Sequence, residues 1–316
     1  MIKVVAIAGP TASGKSDLAV YLAEQFGGEV LSFDSMQLYK GMDIATAKPT
    51  IGEMRDIPHH MIDCIDPSDK FSVVRYKEAA DRIIMEITER GNLPIMVGGT
   101  GLYMDVVLKN IQFFDSGENP EIREKLEKEF REKGPKPLYE RLKEIDPESA
   151  ERIHMNNGGR VIRALEIYET TGLTMTEQRR RSKMEPSPYE PLYIGLTARD
   201  RSLIYERADK RVDMMLEKGL LLEAKEFLDF EPGKTAFQAI GVKEMLPYLK
   251  GEKTLDECTE HLKQATRNYA KRQMTWFRKN PDMNWLFLED YDSKEALHEA
   301  GAKLMEKAGF RRQASR

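Results

Sequence analysis

Residues 1–16, MIKVVAIAGPTASGKS, are the stretch that decides the fold. Residues 3–8 form a short apolar run rich in β-branched side chains, which predicts a buried strand. Two glycines then bracket four residues before Lys15 and Ser16, which matches the phosphate-loop pattern G-x-x-x-x-G-K-[ST]. The next segment, SDLAVYLAEQF, has apolar residues on one helical face, so the strand–loop–helix context that this motif requires is present.

The chemistry of this loop is anion binding. Glycines allow backbone N–H groups to turn toward a phosphate, Lys15 adds a positive charge, and the hydroxyl of Ser16 can bind Mg²⁺. We therefore predict a phosphorylated ligand, Mg²⁺ as the cofactor and Ser16 as its protein ligand. The predicted loop residues are Gly9, Pro10, Thr11, Ala12, Ser13, Gly14, Lys15 and Ser16.

Composition narrows the class of protein. The chain has 316 residues, 41% of them hydrophobic and 32% charged, with a formal net charge of −4, so any nucleic-acid surface must be a local patch. Cys64 and Cys258 lie far apart, which argues against a disulfide framework and against zinc. Adjacent His59 and His60 on an extended segment would point in opposite directions and make a poor chelating pair.

The location follows from the same features. The chain opens directly into a predicted core strand, so we expect no signal peptide. No apolar run approaches the length of a membrane span. We therefore expect a cytoplasmic protein without a membrane partner.

The first part of the chain alternates strands and helices. We predict a strand over residues 29–33 ending before Asp34, a helix over 73–90, and a strand over 93–97 that leads into the GGTGLY turn with Thr100. This alternation predicts an α/β fold with a doubly wound parallel sheet. Ligands bind at the carboxyl ends of such strands, so the phosphate loop, Asp34 and Thr100 should converge on one cleft.

The pattern of apolar and charged residues changes after Gln112. Helical, strongly charged segments follow, and no further strand signal occurs before residues 191–196. We therefore predict an inserted all-helical subdomain within a P-loop core. The predicted boundaries are 1–115 for the first part of the core, 116–190 for the insertion, and 191–316 for the second part of the core with its C-terminal helices.

Asp34 and Thr100 are the candidate chemical groups at the strand ends. A carboxylate facing a phosphate loop can accept a hydrogen bond or a proton from a substrate, and Ser35 and Gln37 could bind a planar polar group. The alternative for Asp34 is capping of the following turn. Thr100 could contact a diphosphate, or it could simply cap a turn and helix. The strand before it ends without the acid that assists Mg²⁺ in many P-loop NTPases, which disfavours that class.

Two helical segments carry basic residues. Arg207 and Arg211 lie four residues apart, so either could reach phosphate oxygens, with a solvated charged face as the alternative. Residues 263–279 hold six Lys or Arg and no acid, with aromatic residues interleaved. This pattern suits phosphate contacts and base stacking in RNA, and the alternative is that the aromatic residues belong to the core.

A set of motifs occurs in a specific order along the chain: GPTASGKS, DSMQLY, TAKP, PHH-x-ID, GGTGLY, RVIRALE, FQAIG and KRQMTWFR. In this order the sequence resembles the bacterial tRNA isopentenyltransferase (tRNA dimethylallyltransferase) family, from about residue 3 to about residue 280. The resemblance implies transfer of a dimethylallyl group from dimethylallyl diphosphate to N6 of the adenine 3′-adjacent to the anticodon, with release of diphosphate.

The resemblance also implies roles for individual residues. Asp34, Thr100, Arg211 and Lys15 would be catalytic: Asp34 would accept the N6 proton, and the other three would bind the departing diphosphate. The partners would be dimethylallyl diphosphate and the anticodon stem-loop of tRNA, contacted partly by the helical insertion, and we expect a monomer. The implied tRNA contacts are Asp34, Ser35, Met36, Gln37, Thr100, Gly158, Gly159, Arg160, Val161, Ile162, Gln238, Arg267, Lys271 and Arg272.

Two other functions remain open from the residues alone. A P-loop small-molecule or nucleoside kinase that uses ATP would explain the loop and an Asp34-like base, but not the basic aromatic helix. An RNA-binding nucleotide switch would explain both, and it would leave the RNA chemically unchanged.

Overall fold

The structure, a computed structural model, describes residues 1–69, 71–113, 119–182, 184–229, 233 and 235–313. The chain divides into two compact units: unit 1 is Met1–Leu108 with Pro188–Arg316, and unit 2 is Lys109–Ser187. These divisions lie a few residues before the predicted boundaries at 115/116 and 190/191. The observed divisions follow the secondary structure, because a helix of unit 1 ends at Leu108 and a strand of unit 1 begins at Tyr189.

Within the described residues, unit 1 contains a six-stranded sheet in the order β3-β2-β4-β1-β5-β6, and every pair of neighbouring strands is parallel. This confirms the predicted doubly wound α/β fold. The strands are β1 (Ile2–Ala8), β2 (Gly28–Ser32), β3 (His59–His60), β4 (Leu93–Gly98), β5 (Tyr189–Thr197) and β6 (Asn284–Phe287).

Helices cover the sheet in unit 1 and make up the regular structure described in unit 2. The bounds are α1 (Lys15–Phe26), α2 (Ile51–Met54), α3 (Val73–Glu89), α4 (Gly101–Leu108), α5 (Pro120–Lys133), α6 (Pro135–Ile145), α7 (Pro147–Arg152), α8 (Gly158–Thr171), α9 (Met175–Arg181), α10 (Arg201–Glu217), α11 (Leu220–Asp229), α12 (Val242–Leu249), α13 (Leu255–Phe277) and α14 (Lys294–Lys307). Helices α5 to α9 belong to unit 2. None of the described helices is long and apolar enough to cross a bilayer.

Local sequence signals explain where these elements begin and end. Helix α1 lies between Gly14 and Gly27, which both adopt left-handed backbone angles that glycine tolerates without steric cost. Thr254 opens α13 with a capping box, in which its hydroxyl and the Glu257 carboxylate each bond to the other residue's backbone N–H. The capping box pairs N–H groups that the first helical turn leaves unsatisfied.

Each unit has its own core. In unit 1, β1 is buried from Val4 onward, and the apolar face of α1 packs on it through Leu18 and Leu22. In unit 2, Leu126, Leu138 and Val161 join three helices around a separate apolar cluster. Burial of such side chains is the main driving force for folding, at about 25 cal/mol per Å² of apolar surface. The two units therefore have distinct sources of stability.

The edge strand β3 is a feature that the sequence pattern did not predict as a strand. His59 and His60 pair with Val30 and Leu31 of β2. The two rings do face different partners, as expected: His59 Nδ1 lies 2.8 Å from the Ile57 carbonyl oxygen, and His60 Nε2 lies 2.7 Å from Glu29 Oε2. The histidine pair therefore joins the sheet through structural contacts.

Glu29 on β2 is a buried carboxylate next to the edge strand β3. Arg90 binds its carboxylate with two hydrogen bonds of 2.9 and 2.7 Å, and Asn92 and His60 add further bonds. The hydrogen bonds from Arg90, above all, lower the pKa of Glu29 to about 2, although burial acts in the opposite direction. The folded state therefore favours the ionised carboxylate, which stabilises the protein above the unfolded-state pKa of about 4.3.

We expect Glu29→Gln to lower the free energy of unfolding by roughly 2–4 kcal/mol at pH 7, because Arg90 loses its buried ionic partner. The difference from the wild type should shrink as the pH falls from about 4.5 toward 2, where the wild-type carboxylate also becomes protonated. Urea unfolding at several pH values measures both effects. Exposed Glu190→Gln is the matched control, and a pH-independent difference at Glu29 would contradict the charge-based explanation.

Candidate active site

A cavity of about 230 Å³ opens in unit 1 at the carboxyl ends of the central strands. It brings together most of the residues predicted from the strand ends and from the resemblance. These lining residues are Thr11, Lys15, Ser16, Asp34, Ser35, Met36, Gln37, Arg211, Gln238 and Arg272. The sequence did not predict ten further lining residues, namely Ala45, Thr46, Ala47, Val97, Gly98, Met215, Lys243, Thr266, Tyr269 and Gln273.

The phosphate loop has the backbone that its glycines predict. Gly14 has φ +93°, and a Cβ added at Gly9 would lie 2.5 Å from the Leu196 carbonyl oxygen of β5, which no larger residue permits. The buried hydroxyl of Ser13 has no hydrogen-bond partner among the described residues. An unpaired buried hydroxyl in this loop is consistent with a loop shaped for a ligand with hydrogen-bonding oxygens.

Two cations face this loop. Lys15 Nζ donates to the Pro10 carbonyl oxygen at 3.3 Å, and the Arg211 guanidinium lies 3.4 Å from the Thr46 carbonyl oxygen. Burial, and then the charge of Arg211, lower the pKa of Lys15 to about 8, while Asp34 acts in the opposite direction. Burial also lowers the pKa of Arg211. The cavity therefore holds more positive charge than its own carboxylate balances, which favours a multivalent anion.

Arg207, the second arginine of the predicted pair, lies outside this lining. It is exposed, and a Cβ added at Gly14 would lie 3.9 Å from its guanidinium. The helix thus carries Arg211 into the cavity and Arg207 to the outer side of the phosphate loop.

Asp34 has both a structural contact and a position in the cavity. Its Oδ1 accepts the backbone N–H of Met36 at 2.9 Å, which is the turn-capping alternative. Its Oδ2 lies 3.8 Å from the position that a Cβ at Gly99 would occupy. One carboxylate oxygen thus holds the turn, while the side chain still lines the cavity beside the loop.

Thr100 lies behind the described lining and supports Ser35. Its Oγ1 accepts the Ser35 backbone N–H at 3.1 Å and lies 3.3 Å from Ser35 Oγ. The side chain of Tyr269 also hydrogen-bonds to Thr100. Thr100 therefore holds the segment after Asp34 in place.

Gln37 is similarly engaged within the protein. Its Oε1 accepts the Ser32 hydroxyl at 2.9 Å, and its Nε2 donates to the Thr46 and Ala47 carbonyl oxygens at 3.3 Å each. These bonds connect the end of β2 to the segment that carries the TAKP motif. Gln37 therefore shapes one wall of the cavity.

Residues 43–48 form that wall, and two charged side chains hold it in place. The Glu223 carboxylate accepts the backbone N–H groups of Asp43, Ile44 and Ala45 at 2.8, 2.6 and 2.8 Å. The buried ammonium of Lys48 donates to the Tyr39 carbonyl oxygen at 2.7 Å and pairs with two aspartates. The motif was visible in the sequence, but Glu223 lies about 180 residues away and carried no signal.

Gln273 on α13 joins two parts of the site, and sequence reasoning missed it. Its Oε1 accepts the Thr11 backbone N–H of the phosphate loop at 2.9 Å, and its Nε2 donates to the Gly99 carbonyl oxygen at 3.1 Å. The side chain is 4% exposed. One buried amide therefore sets the distance between the loop and the GGTGLY turn.

The basic face of α13 differs from the prediction of an RNA-stacking stripe. Lys263 pairs with Asp213 at 2.7 Å, and Arg267 pairs with Asp209 at 2.6 Å. Phe277 is fully buried, and Trp276 donates its Nε1–H to Asp105 at 3.0 Å. These side chains therefore follow the alternative prediction, in which they belong to the protein interior and its ion pairs. Helix α13 uses them in its packing against α10 and α4.

The remaining basic residues of α13 are exposed. Arg272 lines the cavity, with its guanidinium 5.6 Å from the centre of the Tyr269 ring. Lys271 lines a second cavity of about 380 Å³ in unit 1 together with Arg199, Arg201 and Arg278. The exposed positive charge of this helix and its C-terminal extension is therefore concentrated at residues 271–279.

In unit 2, the predicted tRNA-contacting segment begins α8. Gly159 and Arg160 are exposed, and the Asn157 side chain caps the helix. Val161 and Ile162 are 0% and 5% exposed, so their side chains belong to the core of unit 2. The exposed part of this segment is therefore its first turn.

The donor atoms of the cavity suit a hard cation. No group of three or more His, Cys, Asp or Glu side chains suited to a metal occurs in the described part of the chain. The described lining offers the Ser16 hydroxyl and the Asp34 carboxylate, with neither histidine nor cysteine. Mg²⁺ prefers oxygen donors and takes few of them from protein when a ligand supplies phosphates, so these residues fit it.

We expect Gln273→Met to weaken binding of inorganic pyrophosphate about tenfold and to lower the free energy of unfolding by about 1–3 kcal/mol. Methionine keeps the volume but leaves the Thr11 N–H and the Gly99 carbonyl unpaired. Calorimetric titration and urea unfolding measure the two effects. Gln264→Met, on the exposed side of the same helix, is the control, and equal effects at both positions would contradict the role of the buried amide.

Comparisons with known proteins agree with this geometry. A sequence model of the family described as IPP transferase matches residues 37–280. A tRNA dimethylallyltransferase from Caldanaerobacter subterraneus subsp. tengcongensis is 48% identical over 301 residues, which are 94% of this chain and 96% of that protein. One from Acetivibrio thermocellus is also 48% identical, over 94% of this chain and 95% of the relative.

Solved structures give the same result. The tRNA isopentenylpyrophosphate transferase of Bacillus halodurans is 43% identical and superposes with a TM-score of 0.71 over 97% of this chain and 98% of that one. A eukaryotic dimethylallyltransferase acting on tRNA is 32% identical, with a TM-score of 0.82 over 100% of this chain and 82% of that one. On the family match, the sequence identities and the shared fold, this chain belongs to the IPP transferase family.

Proposed function

We propose that the protein transfers a dimethylallyl group from dimethylallyl diphosphate to N6 of the adenine 3′-adjacent to the anticodon of tRNA. The observation that carries this proposal is the shared cavity of Lys15, Arg211 and Asp34 beside a phosphate loop. Two cations suit a diphosphate, and one carboxylate suits an amine that must lose a proton.

The first part of the reaction is departure of the diphosphate. The bond between the allylic carbon and the bridging oxygen breaks, and both electrons leave with the oxygen. Lys15, Arg211 and the loop N–H groups stabilise the negative charge that develops there, and such fixed donors usually contribute more to catalysis than any other feature of a site. The allylic fragment spreads its positive charge over the double bond, so the chain needs no nucleophile of its own.

The second part is attack by the adenine amine. N6 forms the new bond to the allylic carbon, and its proton moves to the Asp34 carboxylate. Ser35 and Met36 lie next to Asp34 in the lining, where an extruded base would contact them. A base stacked in an anticodon loop must flip out to reach them, which costs a few kcal/mol that phosphate contacts elsewhere offset.

Mg²⁺ would be held by the Ser16 hydroxyl together with diphosphate oxygens. When bound, it supplies further positive charge to the leaving group. Lys15 and Arg211 orient the same oxygens, and the backbone N–H groups of residues 14–16, at the beginning of α1, provide further donors.

The RNA contacts proposed for this chain follow its exposed charge. Lys271 and Arg272 present cations beside or within the cavity, and Gly159 and Arg160 open a helix in unit 2. Gln238 lines the cavity near the adenine. Arg267 makes a lesser contribution, because Asp209 already neutralises its charge. Phosphate contacts of this kind position the RNA without reading its sequence.

A kinase that uses ATP is not favoured by the relatives or by the shared fold. The direct test incubates the purified protein with unmodified tRNA, Mg²⁺ and either dimethylallyl diphosphate or labelled ATP. We expect a dimethylallyl-adenosine nucleoside by mass spectrometry from the first mixture only. Label transfer from ATP would support the kinase, and unmodified RNA with nucleotide-dependent affinity would support a switch.

We expect Asp34→Ala to lower kcat by about 10²–10⁴ while changing tRNA affinity only a few-fold, because the base is lost but the RNA surface remains. Asp34→Asn separates chemistry from structure, since its Oδ1 can still accept the Met36 N–H. Single-turnover kinetics and filter binding give the two quantities. If the asparagine variant keeps full activity, Asp34 acts through the turn and not as a base.

We expect the affinity for dimethylallyl diphosphate to fall as the pH rises through about 8, the pKa of Lys15 in the free protein. Above that pH the amine is neutral, so binding must first take up a proton, while the diphosphate stays fully ionised. Calorimetry at pH 7 to 9 in buffers of different ionisation enthalpy measures this uptake. Lys15→Arg should remove the pH dependence because its guanidinium stays charged. If the affinity of the wild type does not change between pH 7 and 9, the assignment to Lys15 is contradicted.

A further inference from the structure

Part of the cavity lining is apolar. It comes from Ala45 and Ala47 on the wall formed by residues 43–48, from Met215 on α10, and from Ala239 and Ile240 before α12. Met215 and Ala239 are 6% and 1% exposed. None of these side chains has a role in binding a diphosphate or in proton transfer.

The position of Met215 follows from helix geometry. Arg211 and Met215 lie four residues apart on α10, and both line the cavity. Side chains at this spacing lie on the same helical face, about 6 Å apart along the axis. If Arg211 binds the diphosphate, Met215 lies one turn further along, in the region that the hydrocarbon tail of the same ligand would enter.

The wall formed by residues 43–48, which lines the same cavity as Met215, is held in place. The three hydrogen bonds to Glu223 hold its backbone. Behind it, a Cβ added at Gly241 would lie 3.1 Å from Ala45 Cβ, so these two backbones are in close contact without space between them. A wall held in this way at Ala45 resists displacement by a longer ligand.

We infer that Met215, which lines the same cavity as Ala45 and Ile240, limits the length of the prenyl tail to five carbons. This inference rests on the proposed function. The substrate class is a short allylic diphosphate, and the discrimination is against allylic diphosphates with a second isoprenoid unit, such as geranyl diphosphate. Rejection is steric: the diphosphate is held at the loop, and the longer tail meets the Met215 side chain.

The test compares kcat/KM for dimethylallyl and geranyl diphosphate with tRNA as acceptor. In the wild type, the geranyl value should be far below the dimethylallyl value. In Met215→Ala, the geranyl-to-dimethylallyl ratio should rise at least about tenfold, because a single pocket contact commonly discriminates by this amount. Inhibition by inorganic pyrophosphate should stay within about twofold, since the diphosphate site is untouched.

Met214→Ala is the matched control, because it makes the same change on the same helix at a residue that is 50% exposed. Its ratio should stay at the wild-type value. Ile240→Ala enlarges the pocket from the other side, and it keeps the test valid if Met215→Ala does not fold by circular dichroism.

The outcomes distinguish the role of Met215 from the proposed transfer reaction. A raised ratio in either enlarged variant, with Met214→Ala unchanged, supports Met215 and its pocket as the length limit. Folded variants that still use dimethylallyl diphosphate at the wild-type ratio would overturn the inference and leave the proposed function intact. A wild type that modifies tRNA with neither donor would overturn the proposed function, and the inference with it.

Discussion

Repulsion between two partly buried cations in one small cavity governs how this site is built. Burial, and then the charge of nearby Arg211, lower the pKa of Lys15, while Asp34 acts in the opposite direction. Such an arrangement is unfavourable until a multivalent anion enters. The folded protein therefore carries an unbalanced charge that a diphosphate relieves, which makes this part of the molecule a binding site before any partner is considered.

Much of the surrounding structure keeps that charge in place. Gln273 joins the phosphate loop to the turn after β4, and Glu223 joins the wall of residues 43–48 to α11. Both are polar side chains that bond to backbone groups of distant segments. Such fully paired groups hold in place the segments that line the cavity around both cations. The wall of residues 43–48 also contributes to the apolar part of the lining, together with Met215.

The elements and their order could be predicted from the sequence. The glycines of the phosphate-loop motif predicted where α1 begins, because backbone conformation at Gly14 depends on neighbouring residues. Strand β3 was missed because two residues carry no periodicity. The aromatic residues of α13 were uncertain for a different reason: periodicity assigns Trp276 and Phe277 to a helix, but it does not say which element packs against them.

The order of residues alone was enough to predict a phosphate loop on a parallel sheet, with acidic and hydroxyl side chains after the strand ends. Those properties are local, since they depend on glycine conformation and on residues within one or two turns. Folding in three dimensions was needed to bring Arg211 into the cavity while Arg207 lies outside it, and to neutralise Arg267 with Asp209. Which charges meet, and which are cancelled, depends on contacts between segments far apart in the chain, and no local pattern encodes them.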